Sequence, residues 1–259
     1  MQTGHPMAPL AGATIVVTRA PGTSASLARA VRRMGGRAVL LPGLALRPLP
    51  DRDVRKAVGK SAFDDWIFAS PAAVRFGVAL LPAVRRARGH VFGLGDGTAR
   101  ALARNRIDAV IPVDRSDSEG LLALRELAKV RGRRIALVGA AGGRDLIAPA
   151  LRRRGAKVEA VHVYRRMAPR LTRRHFDALD AAPDPLITLV SSAEALANLV
   201  ALLPAPQVER MRGQIIVVSS ARLAAAAREN AFGEIVLARS AAPRDLLAAA
   251  ESALAHHRL

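Results

Sequence analysis

The chain has 259 residues, 51% of them hydrophobic, with no cysteine and a formal net charge of +19. That length and apolar content allow one or two cored domains. The lack of cysteine excludes disulfides, thiolate nucleophiles and thiolate metal sites, and no run approaches the roughly 18 consecutive apolar residues of a membrane span.

Lysine occurs only at Lys56, Lys60, Lys129 and Lys157, so arginine supplies 36 of the 40 basic residues. Arginines spread over solvated helix faces also concentrate anions of any kind. Aromatic residues make up 3%, with one Trp and one Tyr, poor material for stacking nucleic-acid bases.

Residues 1–12, MQTGHPMAPLAG, lack the basic and apolar regions of a secretory signal. They are expected to form a disordered lead, and the protein is expected in the cytoplasm. Buried-strand runs then follow in order: ATIVVT (13–18), DWIFAS (65–70), HVFGLG (90–95), DAVIPV (108–113) and RIALVG (134–139). The second half adds KVEAVHVY (157–164), LITLVS (186–191), QIIVVS (214–219) and EIVLAR (234–239). Most lead through a turn into an Ala/Arg-rich stretch with apolar residues three or four apart, as at Leu27, Ala30, Val31 and Met34. Strand–helix alternation of this kind predicts α/β architecture, with parallel sheets covered on both faces.

A weak internal repeat refines the layout. DDWIFASPAAV (64–74) is echoed by PLITLVSSAEAL (185–196), and residues 91–113 by residues 216–238. RIALVGAAGGRDLIAPALRRRGAKVEAV (134–161) resembles residues 13–41, so a unit that ends the first copy opens the chain. This predicts domain 1 from residues 13–46 and 168–259, with domain 2, residues 50–163, inserted between them. The crossings at 41–50 and 160–169 would form a two-stranded hinge, leaving a cleft between the domains.

The glycine turn VGAAGGRDL (138–146) lacks the order of a P-loop, and GLGDGTARAL (93–102) has Arg100 where a dinucleotide fingerprint needs its third Gly or Ala. Six strand-to-helix turns remain: Arg19 to Ser24, Ser70-Pro71, Gly95 to Thr98, Gly139 to Gly143, Ser191-Ser192 and Ser219-Ser220. Each taken singly is an ordinary tight turn or N-cap. Six at corresponding ends of two sheets point to an anionic ligand, because helix N-termini expose free N–H groups to carboxylates and phosphates alike.

Ser116 and Glu119 read as a capping box. His5, His90, His162, His175, His256 and His257 show no metal spacing, so no metal site is expected. No serine stands in G-x-S-x-G. Tyr164, in VHVYRR beside the second crossing, is either a half-buried strand residue or a proton donor facing the cleft.

VTRAP, IFASPAAV, GLGDGTARAL, DSEGLL, GGRDLIAPALRRRGAKVEAVHVYRR and SSARLAAAARENAF occur in the order seen in bacterial uroporphyrinogen-III synthases, and the chain resembles that family from about Ala13 onward. The resemblance implies two flavodoxin-like domains joined by a two-stranded ladder. It also implies a cofactor-free hydro-lyase acting on hydroxymethylbilane, a linear tetrapyrrole with eight carboxylate arms. That substrate loses water and closes with ring D inverted through a spiro intermediate, a task of holding conformation more than of strong acid–base catalysis.

By the same resemblance Tyr164 is the proton donor or relay. Substrate contacts are expected from Arg19, Ser70, Gly97, Thr98, Gly142, Gly143, Ser191 and Ser219, and the protein is expected to be a monomer without nucleic-acid or membrane partners. Two departures stand out. Gly139-Ala140-Ala141 lacks the family's acidic residue, and Arg222 stands near the position equivalent to Thr98. Two other readings compete. A nucleic-acid-binding protein rests on charge alone and predicts a basic stripe and steep salt dependence. A non-catalytic sensor of the same fold would bind a tetrapyrrole or another polyanion without turnover.

Overall fold

The computed structural model describes residues 8–59, 62–113, 115, 117–142 and 146–257. Its strands are β1 (Thr14–Val17), β2 (Arg37–Leu40), β3 (Ala45–Pro48), β4 (Asp65–Phe68), β5 (Val91–Gly93), β6 (Arg134–Ala140), β7 (Lys157–Met167), β8 (Leu186–Val190), β9 (Ile215–Val218) and β10 (Glu234–Leu237). The chain divides into two units. The first comprises Met1–Ala45 and Met167–Leu259, and the second comprises Leu46–Arg166.

The first unit holds a five-stranded sheet in the order β10-β9-β8-β1-β2, with every pair parallel. Consecutive side chains on its inner strands part to opposite faces, as a period of two requires. Ile15, Val17, Ile187, Leu189, Ile215 and Val217 enter one core with Leu27, Val31 and Leu246. Val16, Val190, Ile216 and Val218 enter the other with Leu196, Leu199 and Leu223. With both faces buried, these strands read as continuous apolar runs, the signature of a parallel sheet under helices.

The second unit orders its strands β3-β7-β6-β4-β5, and its β4–β5, β4–β6 and β6–β7 pairs are parallel. Taking β6 as first, the strands β7, β4 and β5 occupy second, third and fourth places, matching the order of the first unit from a different starting point. The fifth place, expected as strand DAVIPV, is a single parallel bridge between Phe92 and Val110. Ala109 and Val110 pack against the two cores, but Pro112 has no N–H to donate and Val113 is 92% exposed, so pairing does not run on past the bridge. Trp66, Phe68, Ala136 and Val138 line one core, and Ile67, Ile135, Leu121 and Leu151 line the other.

The crossings expected to lie side by side contain β3 and β7, which are neighbours in the second unit's sheet. β2 lies outside the runs read as strands from the sequence: of its four residues only Val39 is buried, and Leu40 is 45% exposed.

Residues 8–12 of the expected disordered lead are folded: Leu10 is fully buried, and its N–H donates to the Met34 carbonyl at 2.8 Å. Gly35, at φ +81° just past helix Ala25–Arg33, and Gly36 make room for this, since a Cβ on Gly36 would lie 3.0 Å from the Leu10 Cβ. Residues 1–7 lie outside the described residues.

Candidate active site

In open parallel sheets ligands bind beyond the carboxyl ends of the strands, where neighbouring connections leave in opposite directions. In the second unit that place follows β4 and β6. Ser70 comes two residues after β4 and is the N-cap of helix Pro71–Gly77, its Oγ accepting from Ala73 N at 3.1 Å. Pro71 restricts the preceding residue to extended backbone, and Ser70 sits at φ −168°, ψ 162°.

Tyr164 reaches the same place from β7. Along β6–β7 the pairing runs evenly to Gly139 opposite His162, then slips so that Ala140 faces Tyr164. Simple alternation would send Val163 and Tyr164 to opposite faces. With the extra residue of a bulge, both join Val161 in the same core. The Tyr164 hydroxyl lies 3.2 Å from Ser70 Oγ, and its ring, 9% exposed, lies 5.5 Å from that of Phe76.

Gly97 and Thr98 open the neighbouring helix, Asp96–Ala103, whose N-cap is Gly95. A Cβ on Gly97 would come 3.3 Å from Pro71 Cγ, so these two turns are packed side by side. Thr98 is 3% exposed and its methyl covers Gly93. Gly142 takes φ +72°, a left-handed conformation suited to glycine, and its carbonyl accepts from Arg166 Nη2 at 2.5 Å. Gly143 lies outside the described residues. The second unit therefore gathers Ser70, Tyr164, Gly97, Thr98 and Gly142 at one end of its sheet.

The first unit presents Arg19, Ser191 and Ser219 at the carboxyl ends of β1, β8 and β9. Arg19 Nη2 donates to the Ala241 carbonyl at 2.6 Å, while its buried Nε has no partner among the described residues. Burial pulls the guanidinium's pKa below its ordinary value. Asp245, four residues beyond Ala241, is already satisfied by Ser240 at 2.5 Å, Arg239 at 3.1 Å and Arg244 at 3.6 Å. Among the described residues no carboxylate pairs with Arg19.

The helix caps here are Ser192, accepting from Ala195 N, and Ser220, accepting from Leu223 N, both at 3.3 Å. Ser191 and Ser219, the residues expected to meet a ligand, are half-buried, and their hydroxyls bond no described residue. The N-cap rule, applied to each Ser-Ser pair, would have separated the capping serine from the free one. It also places Arg222 opposite Gly97 and Leu223 opposite Thr98, one position away from the expected match.

Elsewhere, Asp117 rather than the expected Ser116 caps helix Ser118–Leu122, with Gly120 N at 2.8 Å from its carboxylate. Ser116 lies outside the described residues. Asp65, at the opposite end of β4, is fully buried and accepts from His90 N at 2.8 Å and Arg133 Nη2 at 2.7 Å. Its burial pushes the carboxyl above the usual range despite those partners. Among the described residues no group of three His, Asp or Glu side chains could hold a metal ion, and no helix is long and apolar enough to cross a membrane.

The family model for uroporphyrinogen-III synthase HemD matches residues 25–248. The uroporphyrinogen-III synthase of Salmonella typhimurium is 33% identical over 243 residues, covering 88% of this chain and 96% of that protein. The Escherichia coli K12 enzyme of the same name is 32% identical over 244 residues, with the same two coverages. Among solved structures, uroporphyrinogen-III synthetase from Helicobacter pylori 26695 superposes with a TM-score of 0.61 at 13% identity, covering 93% of this chain and 99% of that one. A mutant synthase from the extreme thermophile Thermus thermophilus gives 0.54 at 18% identity, with coverages of 94% and 99%. These two support the α/β fold with parallel sheets. With the family model spanning most of its length, this chain belongs to the uroporphyrinogen-III synthase family.

Proposed function

We propose that the protein is a working uroporphyrinogen-III synthase, a lyase that dehydrates hydroxymethylbilane and closes it to uroporphyrinogen III with ring D inverted. The observation that carries this reading is the family match over residues 25–248. In the same reading both units are flavodoxin-like, which the shared strand order supports.

Tyr164 gives its proton to the departing hydroxyl, which leaves as water. The resulting azafulvene cation is attacked by the substituted α-carbon of ring D to form the spiro-pyrrolenine. That intermediate fragments and recloses in the inverted sense, and the proton lost on rearomatisation returns to the phenolate. The reaction is redox-neutral, and the reading invokes no cofactor. Acetate and propionate arms are held by Arg19, by the Thr98, Ser191 and Ser219 hydroxyls and by main-chain N–H groups near Gly97, Gly142 and Gly143. Free hydroxyls at Ser191 and Ser219 and the unpaired Nε of Arg19 support those assignments. We place the protein in the cytoplasm as a monomer with a small-molecule substrate and no nucleic-acid or membrane partner.

The test is incubation of purified protein with freshly generated hydroxymethylbilane, then chromatography of the oxidised products. The expected result is predominantly type III isomer. Type I alone at the uncatalysed rate would refute the reading and leave a non-catalytic binder of tetrapyrroles.

A further inference from the structure

We propose that Ser70 is a positioning residue for Tyr164: its hydroxyl donates to the phenol oxygen, so that the phenol keeps its own proton for the substrate. This rests on the reading of Tyr164 as the acid for the departing hydroxyl. A serine hydroxyl has one proton and two lone pairs. At Ser70 one lone pair is taken by the Ala73 N–H at 3.1 Å, and the phenol oxygen lies 3.2 Å away. Among the described residues Tyr164 is the only other hydrogen-bond partner of that hydroxyl. Donation from Ser70 uses the serine's one proton and leaves the phenol proton uncommitted. In the opposite direction the phenol proton would be held by a helix cap and withheld from the reaction.

Two features aim these groups at each other. Pro71 holds Ser70 in extended backbone, and the register slip on β7 turns Tyr164 onto the face occupied by Val161 and Val163. Phe76, at the other end of the helix that Ser70 caps, lies 5.5 Å from the phenol ring at a 37° tilt. Ser192 and Ser220 fill the same cap position in the first unit, yet among the described residues neither makes a hydrogen bond to another side chain. The Ser70–Tyr164 contact is thus an addition to a cap, not a consequence of capping.

The chain has a single tyrosine. The intensity ratio of the tyrosine Fermi doublet in its Raman spectrum therefore reports on Tyr164 alone, rising when the phenol accepts a hydrogen bond and falling when it only donates. The native ratio is expected in the high range of an accepting phenol; Ser70→Ala is expected to shift it, and Ser70→Thr to keep it near the native value. Ser70→Gly, a tolerated cap residue without a hydroxyl, should shift it as Ser70→Ala does, which separates the effect from loss of the helix cap. Both hydroxyl-free variants should lose about fivefold in kcat with KM held, the worth of one neutral hydrogen bond.

A native ratio in the low range of a phenol that only donates, or an unchanged ratio in Ser70→Ala and Ser70→Gly, overturns the proposal. A high native ratio that shifts in Ser70→Ala, together with full kcat in Tyr164→Phe, would uphold the Ser70 hydrogen bond and overturn the acid role assigned to Tyr164.

Discussion

Replacing Arg19 by methionine should weaken substrate binding without weakening the fold. The guanidinium spends one N–H on the Ala241 carbonyl, and its buried Nε has no partner. Burial disfavours its charged form and lowers its pKa, and the carboxylate of Asp245, four residues beyond Ala241, is already shared among Ser240, Arg239 and Arg244. A substrate carboxylate would supply the missing acceptor. A hydrogen bond to a charged group is worth about 1.5–3 kcal/mol, or roughly 10- to 100-fold in affinity.

Arg19→Met should therefore raise KM for hydroxymethylbilane by about that factor while kcat changes little, the pattern of an interaction made equally in ground and transition states. Arg19→Lys, which keeps charge but not the planar fork, should fall between. Methionine fills similar space without a desolvated charge, and water can satisfy the exposed Ala241 carbonyl, so Tm should hold or rise. The measurement is KM and kcat from timed isomer chromatography, beside a thermal melt. A KM within twofold of native, or a fall in Tm of more than about 4 °C (roughly 2 kcal/mol for a chain of this size), would refute the reasoning and make Arg19 a clamp on the Ala241 loop.

Tyr164→Phe keeps the ring packed against Phe76 and removes only the hydroxyl. It should lower kcat by up to about 100-fold, at the low end for general-acid catalysis because water can substitute, and full kcat would exclude the phenol as acid. Gly43→Ala places a Cβ 2.6 Å from the Ala195 carbonyl oxygen and 2.9 Å from its Cα. Backbone of helix Ala193–Leu202 must shift, so chemical denaturation should show a loss of about 1–3 kcal/mol, and an unchanged midpoint would contradict the close approach. The hydrogen bond from Ser240, with Arg239 and Arg244, holds the Asp245 carboxyl below its ordinary 3.8. Its contribution is present above that value and lost as pH falls through the depressed folded-state pKa. Asp245→Asn should thus be less stable than native at neutral pH, with the difference shrinking below pH 3.8; parallel Tm–pH curves would refute it.

Long-range position decided what local reading missed. The cap assignments were within reach of the sequence, since Ser192 and Ser220 stand directly before helix starts and the N-cap rule selects them over Ser191 and Ser219. Leu10 was not within reach: nothing in MQTGHPMAPLAG announces that one leucine will fill the space left by Gly35 and Gly36, twenty-five residues on. DAVIPV reads as a strand by composition yet makes a single bridge, because Pro112 cannot donate to a ladder and Val113 points into solvent.

Continuous apolar runs, Gly and Ser at the strand–helix turns and the repeat between the two halves determined, from sequence alone, an α/β chain with its strand–helix turns at the strands' carboxyl ends. The runs and the turns are local signals, set by backbone geometry within a few residues. Only the tertiary structure decided that Tyr164 meets Ser70, 94 residues away, and that Arg19 keeps a buried, unpaired N–H. The first depends on a one-residue register slip between β6 and β7, and the second on the meeting of Arg19 with the Ala241 carbonyl, 222 residues away. Both are outcomes of packing between distant segments, and no short stretch of sequence encodes them.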